Sequence, residues 1–108
     1  MKRQNIYRAS EWFKVLQTTE RSQTAVMKLG PGRATGEEPE AHENSDQVLL
    51  LVAGELSAEI GGKRSRMKEG DVVTIPARVK HKFTNRGEQP AVTFNVYSPP
   101  EYPADEKR

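Results

Sequence analysis

The chain contains only two histidines, His42 and His81, and each lies in a strand-like segment punctuated by glycine. Imidazole nitrogen is a common ligand for zinc, iron, copper and nickel. The chain has no cysteine, so disulfides are excluded and a metal site must use nitrogen and oxygen donors. Two scarce imidazoles brought to one cavity by strands therefore predict a metal site.

Two further side chains near His42 can supply oxygen donors. Glu40 lies two residues before His42, so both side chains project from the same face of an extended segment. Gln47 follows a predicted turn at residues 44–46 and can face the same cavity with a neutral amide oxygen. We expect Glu40 to be a ligand and Gln47 to be a weak fourth ligand or an orienting group. A buried histidine can instead be a hydrogen-bonded core residue, and that alternative stays open.

Apolar residues on the predicted strands are expected to line the cavity around the histidines. Phe83 shares the parity of His81, and Met27, Phe94 and Val96 occupy flanking strands. Three basic residues of the opposite parity to His81 are expected to face solvent; they are Arg78, Lys80 and Lys82. Three tyrosines could donate a hydroxyl to a ligand, and the sequence favours none of them; they are Tyr7, Tyr97 and Tyr102.

Short strands with a turn signal every eight to twelve residues predict an all-β antiparallel sandwich or barrel. The apolar run Val48–Val52 predicts a strand buried on both faces. Ser10 followed by residues 11–16 predicts a capped helical turn. The predicted organisation is an N-terminal extension with this turn over residues 1–21, a barrel over 22–98 and an extended tail over 99–108.

Composition restricts the classes of partner. The 108 residues suit one domain, and 17 basic against 15 acidic residues give a net charge of +2. That balance carries no nucleic-acid signal, because such a surface needs clustered basic residues. The longest apolar run has only the six residues Val48–Ala53, so we expect no membrane partner and a cytoplasmic location.

The spacing around the histidines resembles the two sequence motifs of the cupin superfamily, over roughly residues 36–85. From His42 there are four residues to Gln47 and six more to Gly54, as in the first motif. In this placement Glu40 stands where the family has a histidine, and Gln47 where it has a glutamate. Taking His42 as the first histidine and Asn44 as the second is the alternative, and we prefer the first placement. The second motif is matched by Gly70, Pro76, His81 and Asn85, with Arg78 in place of a glycine.

The resemblance implies a jelly-roll β-barrel with a divalent metal held by three histidines and a glutamate, of which this chain retains His42 and His81. Zinc, manganese, iron, nickel or copper would be possible ions. It also implies a homodimer, which the apolar run Val48–Ala53 supports. Isomerisation, ring opening of uronates and dioxygenation occur among similar small cupins. A metal site for a small polar or anionic molecule, such as a sugar-like or keto acid, is expected, with a non-catalytic binding module as the alternative; the sequence does not decide between enzyme and binder.

Overall fold

The computed structural model describes residues 1–108 as eight strands and one short 3-10 turn. No helix in the protein has the length and apolar composition needed to cross a lipid bilayer. After the turn Ile6–Arg8 the strands are β1 Phe13–Thr18, β2 Gln23–Leu29, β3 Asp46–Ala53, β4 Glu55–Ile60, β5 Lys63–Lys68, β6 Val72–Ile75, β7 His81–Thr84 and β8 Ala91–Ser98.

The strands form two antiparallel sheets. The larger sheet has the order β1-β2-β8-β3-β6 and the smaller sheet has the order β5-β4-β7. Fourteen buried hydrophobic residues form one core cluster, with members from both sheets such as Leu49 and Leu51 of β3 and Phe83 of β7. The predicted all-β antiparallel jelly-roll fold with a short N-terminal helical turn is confirmed.

The position of that helical turn was predicted wrongly. The turn lies at Ile6–Arg8, whereas most of the segment after Ser10 belongs to β1. Phe13 and Val15 alternate into the core, each only 4% exposed, which is the period of a strand. Because β1 pairs with β2 along its length, its backbone groups are satisfied by a neighbour that local helix signals cannot report.

The C-terminal tail covers the free edge of β1. The Val15 N–H donates to the Glu106 carbonyl at 2.9 Å, and the Arg108 N–H donates to the Phe13 carbonyl at 2.8 Å. Gln23, which is fully buried, holds the middle of the tail through hydrogen bonds to the backbone of Glu101 and Tyr102. The predicted boundaries at residues 21/22 and 98/99 stay predictions, although β1 and this tail both pair with the larger sheet.

The predicted burial of β3 on both faces is wrong. Leu49 and Leu51 are fully buried, but Val48 is 37% exposed and Leu50 is half-buried. The N-terminal segment covers the outer face of the larger sheet only around Val26 and Val92, so only alternate residues of the apolar run are fully buried. The outer face therefore carries exposed apolar side chains, including Val72 of β6 at 61% exposure.

Gly54 lies where the chain passes from the larger sheet to the smaller one. Its φ of +84° is in the left-handed region, and a Cβ atom there would lie 2.6 Å from the Pro90 carbonyl oxygen and 2.9 Å from the Ala91 Cα atom. Glycine is thus needed both for the backbone conformation and for the close approach of β8.

Candidate functional site

A small cavity of about 90 Å³ lies between the sheets, at the end where the tail crosses β1. It is lined by thirteen residues, six of which are hydrophobic. The sequence predicted six of the thirteen: Met27, Glu40, His42, Gln47, His81 and Phe83. The structure therefore brings most of the predicted site residues to one place.

Backbone pairing brings the two histidine segments together. Glu40 and His81 form an antiparallel bridge, with N–H···O distances of 3.1 and 2.9 Å between their backbones. The Arg78 N–H donates to the His42 carbonyl. As a result the two imidazole rings lie 4.9 Å apart between centroids, inclined by 51°. The prediction that both rings share one cavity agrees with this geometry.

Both ring nitrogens of His42 face oxygen atoms. Nε2 lies 3.1 Å from the Gln47 Oε1 atom, and Nδ1 lies 3.3 Å from the Glu101 Oε2 atom. A neutral imidazole carries a single N–H, and an ionised carboxylate can only accept. One proton cannot satisfy both oxygens at once.

The orientation of the Gln47 amide is set by a buried chain of donors. The Thr93 hydroxyl donates to the Met27 carbonyl at 3.2 Å, and the Asn95 amide nitrogen donates to that hydroxyl at 2.9 Å. The Gln47 amide nitrogen in turn donates to the Asn95 Oδ1 atom at 2.9 Å. Because a backbone carbonyl only accepts, this direction is fixed along the whole chain, and Gln47 presents its oxygen to His42.

His81 is oriented by a backbone carbonyl. Its Nδ1 atom lies 3.0 Å from the Val79 carbonyl oxygen, so Nδ1 carries the proton and Nε2 keeps its lone pair. Burial lowers the pKa of His81, and the nearby His42 lowers it further, while the Val79 hydrogen bond and Glu40 oppose the shift. The neutral ring, which is the form that binds metal, is therefore favoured.

This pKa shift predicts that the stability of protein treated with a chelator depends on pH. Unfolded chains bind a proton at His81 with a pKa of about 6.5, and the folded protein binds it at lower pH. The free energy of unfolding should therefore fall as the pH drops from about 6.5 toward the folded pKa. Urea titrations across this range check the sign, with His81→Gln as the variant that should lose this component. NMR titration showing a folded His81 pKa above 6.5 would contradict it.

Glu40 does not join a ligand group with the histidines. Its side chain borders the cavity but is exposed, and no three or more His, Cys, Asp or Glu side chains are placed to share one ion. The reason is local: Glu40 is tied to His81 through its backbone at the rim, so its carboxylate stays near solvent. Asn44, the alternative second position of the motif, is exposed in the turn before β3.

The predicted inward placement of Phe94 and Val96 is wrong. Phe94 packs against the cluster on the outer face of the larger sheet, and Val96 pairs with Val48 at the same parity. Polar Thr93 and Asn95 occupy the inward positions of β8 instead. The apolar residues of β8 therefore lie on the outer face, because the inward positions are occupied by the side chains of the buried hydrogen-bonded chain.

The tail builds a wall of the cavity that the sequence did not predict as a unit. Tyr97 and Tyr102 stack edge to face at 5.2 Å between centroids, and burial raises the pKa of both hydroxyls. Arg108 lies over the Tyr102 ring at 5.4 Å and reaches the cavity. Tyr7, by contrast, is 62% exposed in the N-terminal turn and does not line the cavity. Glu101 and Arg108 carried no recognisable signal, since their role depends on how the tail docks.

Arg78 adopts a backbone conformation that suits glycine. Its φ is +69°, and it is the only residue other than glycine with a positive φ. We expect Arg78→Gly to raise the free energy of unfolding by about 0.5–1 kcal/mol, because relief of left-handed strain exceeds the added entropy of the unfolded chain. Urea unfolding measures the change, and a less stable variant would show that the arginine side chain makes a compensating contact.

A family model described as the cupin domain matches residues 25–97, which is more than half of the chain and includes both histidines. The chain is a cupin. Several proteins are similar to it. The uncharacterized protein YrkC of Bacillus subtilis is 27% identical over 108 residues; the match covers 94% of this cupin but only 54% of YrkC. This cupin thus spans about half the length of that relative.

Solved structures agree with the fold of this cupin. BH2720 from Bacillus halodurans superposes with a TM-score of 0.88 at 23% identity, covering 95% of this chain and 81% of the other. A Thermotoga maritima protein, described as a predicted oxalate decarboxylase, has a TM-score of 0.68 at 26% identity and covers 75% and 69% of the two chains. The jelly-roll arrangement of this cupin is therefore shared with both.

Proposed function

We propose that this cupin binds a divalent metal ion through His42, His81 and Gln47, and that the ion receives a small polar or anionic molecule. The observation that carries the proposal is the pair of oxygens facing His42. With Glu101 accepting the Nδ1 proton, the Nε2 lone pair and the Gln47 Oε1 atom are two acceptors 3.1 Å apart. A cation between them, whether a second proton or a metal ion, resolves the conflict.

The donor atoms suit a metal in two respects. Ligands that bind one ion at about 2.1 Å lie roughly 3 Å from each other, which is the separation of His42 Nε2 and Gln47 Oε1. Metal-binding histidines usually donate their second N–H to a carboxylate or a carbonyl. His42 has the Glu101 carboxylate at that position, and His81 has the Val79 carbonyl. Both rings are therefore held as ligands are held, with Nε2 as the binding atom.

The remaining residues determine what can reach the ion. A bound divalent ion supplies Lewis-acid polarisation of a ligand oxygen. Met27 and Phe83 give the cavity an apolar floor, while Tyr102 and Arg108 form its wall. A cavity of about 90 Å³ admits only a small molecule. A small anion such as a keto acid would contact both the ion and the Arg108 guanidinium. The description of the Thermotoga protein as a predicted oxalate decarboxylase supports this class of ligand.

Metal titration tests the proposal. Protein that has been treated with a chelator should then bind one divalent ion per chain, either zinc, manganese, iron, nickel or copper, and its Tm should rise. His42→Ala and His81→Ala should each abolish binding, and Gln47→Leu should weaken it by about 10- to 100-fold. Asn44→Ala is the matched control and should bind as the wild type does. Less than about a tenth of an ion per chain, with no thermal shift on reloading, would rule out the metal site.

A metal-free binding pocket is the second candidate. It is favoured by the donor set, because no three His, Cys, Asp or Glu side chains are placed to share an ion. In that case the second proton on His42 balances Glu101 and Gln47, and the pocket binds its ligand without an ion. A panel of small carboxylates, followed by thermal shift with and without chelator, separates the candidates. Binding that survives chelation supports the second one.

We also propose that the protein is a homodimer through the outer face of the larger sheet. Val48 and Val72 are exposed there, and Leu50, Phe94 and Val96 are half-buried beside them. Val48 pairs with Val96, and Leu50 with Phe94 and Val72, so these side chains form one patch. Such patches usually mark an interface. Sedimentation of the wild type as a dimer, and of Val72→Asp as a monomer, is the expected result.

A further inference from the structure

The outer face of the smaller sheet carries a second, larger depression. It encloses about 510 Å³, and only one of its nine lining residues is hydrophobic. Ser57 and Glu59 of β4 and Lys82 and Thr84 of β7 contribute to it, while the alternate residues of these strands point into the core. The depression therefore lies on the opposite side of this sheet from the histidine cavity.

Four cationic side chains and three hydroxyl side chains line this depression. We call the four the basic face; they are Arg64, Arg66, Lys82 and Arg86. In the sheet register Arg66 lies opposite Ser57, which lies opposite Thr84. Glu59 is the one carboxylate in the lining, so the lining has a net charge of +3, whereas the entire chain has +2. The lining of this depression is thus strongly positive.

The arginines of the basic face have unused donors. The Arg64 and Arg66 side chains are 83% and 78% exposed. Each meets one carboxylate through one N–O contact, to Glu59 at 3.3 Å and to Glu55 at 3.4 Å. A guanidinium has five N–H donors, so most remain free for a ligand. Lys82 donates to the Glu37 carbonyl, which holds the neighbouring loop at the rim.

We propose that the basic face binds a short linear polyphosphate. Arginine forks pair in bidentate fashion with phosphate oxygens, and hydroxyls between them add neutral donors. Arg64 and Arg66 leave the same strand about 7 Å apart, and Lys82 lies two strands away from Arg64, about 10 Å across. A chain of phosphates spans such separations better than a single ion does. No aromatic residue lines the depression, so nothing there would stack on a nucleotide base.

Calorimetry with tripolyphosphate at constant ionic strength tests the proposal. Saturable binding of one molecule per chain is expected, with amide shifts in NMR spectra confined to β4, β5 and β7. The double variant Arg64→Gln/Arg66→Gln should weaken binding at least tenfold. Lys2→Gln/Arg3→Gln removes the same charge from another exposed segment and should leave binding within twofold. His81→Ala should also leave it unchanged, which separates this site from the histidine cavity.

Three results would overturn the proposal. The first is the lack of saturable binding, and the second is equal weakening by the two double variants, which would show a general charge effect. The third is a clear preference for ATP over tripolyphosphate, because it would require base contacts that the depression does not offer. Thermal unfolding of the exposed Arg64→Gln/Arg66→Gln variant near the wild-type Tm confirms that any loss of binding is local.

Discussion

Gly54→Ala is expected to lower the free energy of unfolding by about 3 kcal/mol. A left-handed backbone costs alanine about 1–2 kcal/mol, and forcing an extra methyl against fixed atoms costs about 1–3 kcal/mol more. The atoms it meets belong to the backbone of Pro90 and Ala91, at 2.6 and 2.9 Å, so no side chain can rotate away. Urea unfolding at constant m-value measures the loss.

Gly62→Ala is the matched control for this substitution. Gly62 has nearly the same backbone conformation, with a φ of +79°, but a Cβ atom there meets nothing within 4 Å. Only the strain contribution of about 1 kcal/mol is expected. Equal losses in the two variants would mean that β8 moves away from Gly54 at no cost, and the close contact would then have no role in stability.

Gln23→Ala is expected to release the tail from the larger sheet and to cost about 3 kcal/mol. The Gln23 Oε1 atom accepts from the backbone N–H groups of Glu101 and Tyr102 at 3.2 and 3.0 Å. Its Nε2 atom donates to the Tyr102 carbonyl at 2.8 Å and to the Thr18 hydroxyl at 3.0 Å. Truncation leaves the backbone groups of Glu101 and Tyr102 without their side-chain partners, so the free energy of the tail is lower when it moves into water.

Hydrogen exchange tests this expectation directly. The amides of Glu101, Tyr102 and Arg108 should lose protection in Gln23→Ala, while those of β4 should keep it. Gln17→Ala is the control, because Gln17 is exposed and its side chain makes one hydrogen bond, to the Lys2 carbonyl; its cost should stay below about 0.5 kcal/mol. If tail protection survives in Gln23→Ala, the pairing of the tail with β1 is sufficient to hold it.

The fold could be predicted from the sequence where a local pattern or a sequence motif indicates it. Gly61-Gly62 joins β4 to β5 as a tight turn, and the alternation of Leu56, Ala58 and Ile60 matches a half-buried strand. The helical turn predicted over residues 11–16 is wrong because residues 13–16 belong to β1, whose partners are β2 and the tail, which lie elsewhere in the chain. Aromatic residues after a serine are compatible with either a helical turn or a strand, and pairing with distant segments determines which one forms.

The candidate site was predictable to the extent that spacing carries it. His42, Gln47 and His81 meet as the motif spacing indicates. The contact of Glu101 with His42 and the reach of Arg108 depend on a tail without strand periodicity, and no sequence pattern reports how such a segment docks. Asn95 was missed for a different reason: a buried amide at an inward position contradicts the usual rule that apolar residues face the core.

The buried chain from Thr93 through Asn95 to Gln47 also determines how β8 can pair during folding. The outward positions of β8 include Val92, Phe94 and Val96, whereas polar Thr93 and Asn95 occupy the centre of its inward face, so a shift of one residue would bury Phe94 and expose Asn95. Hydrophobicity alone favours that shifted pairing. Only the correct register lets each amide meet its partner, because the alternative leaves Gln47 buried opposite apolar side chains. The atoms that orient His42 therefore also select a single alignment of β3 with β8.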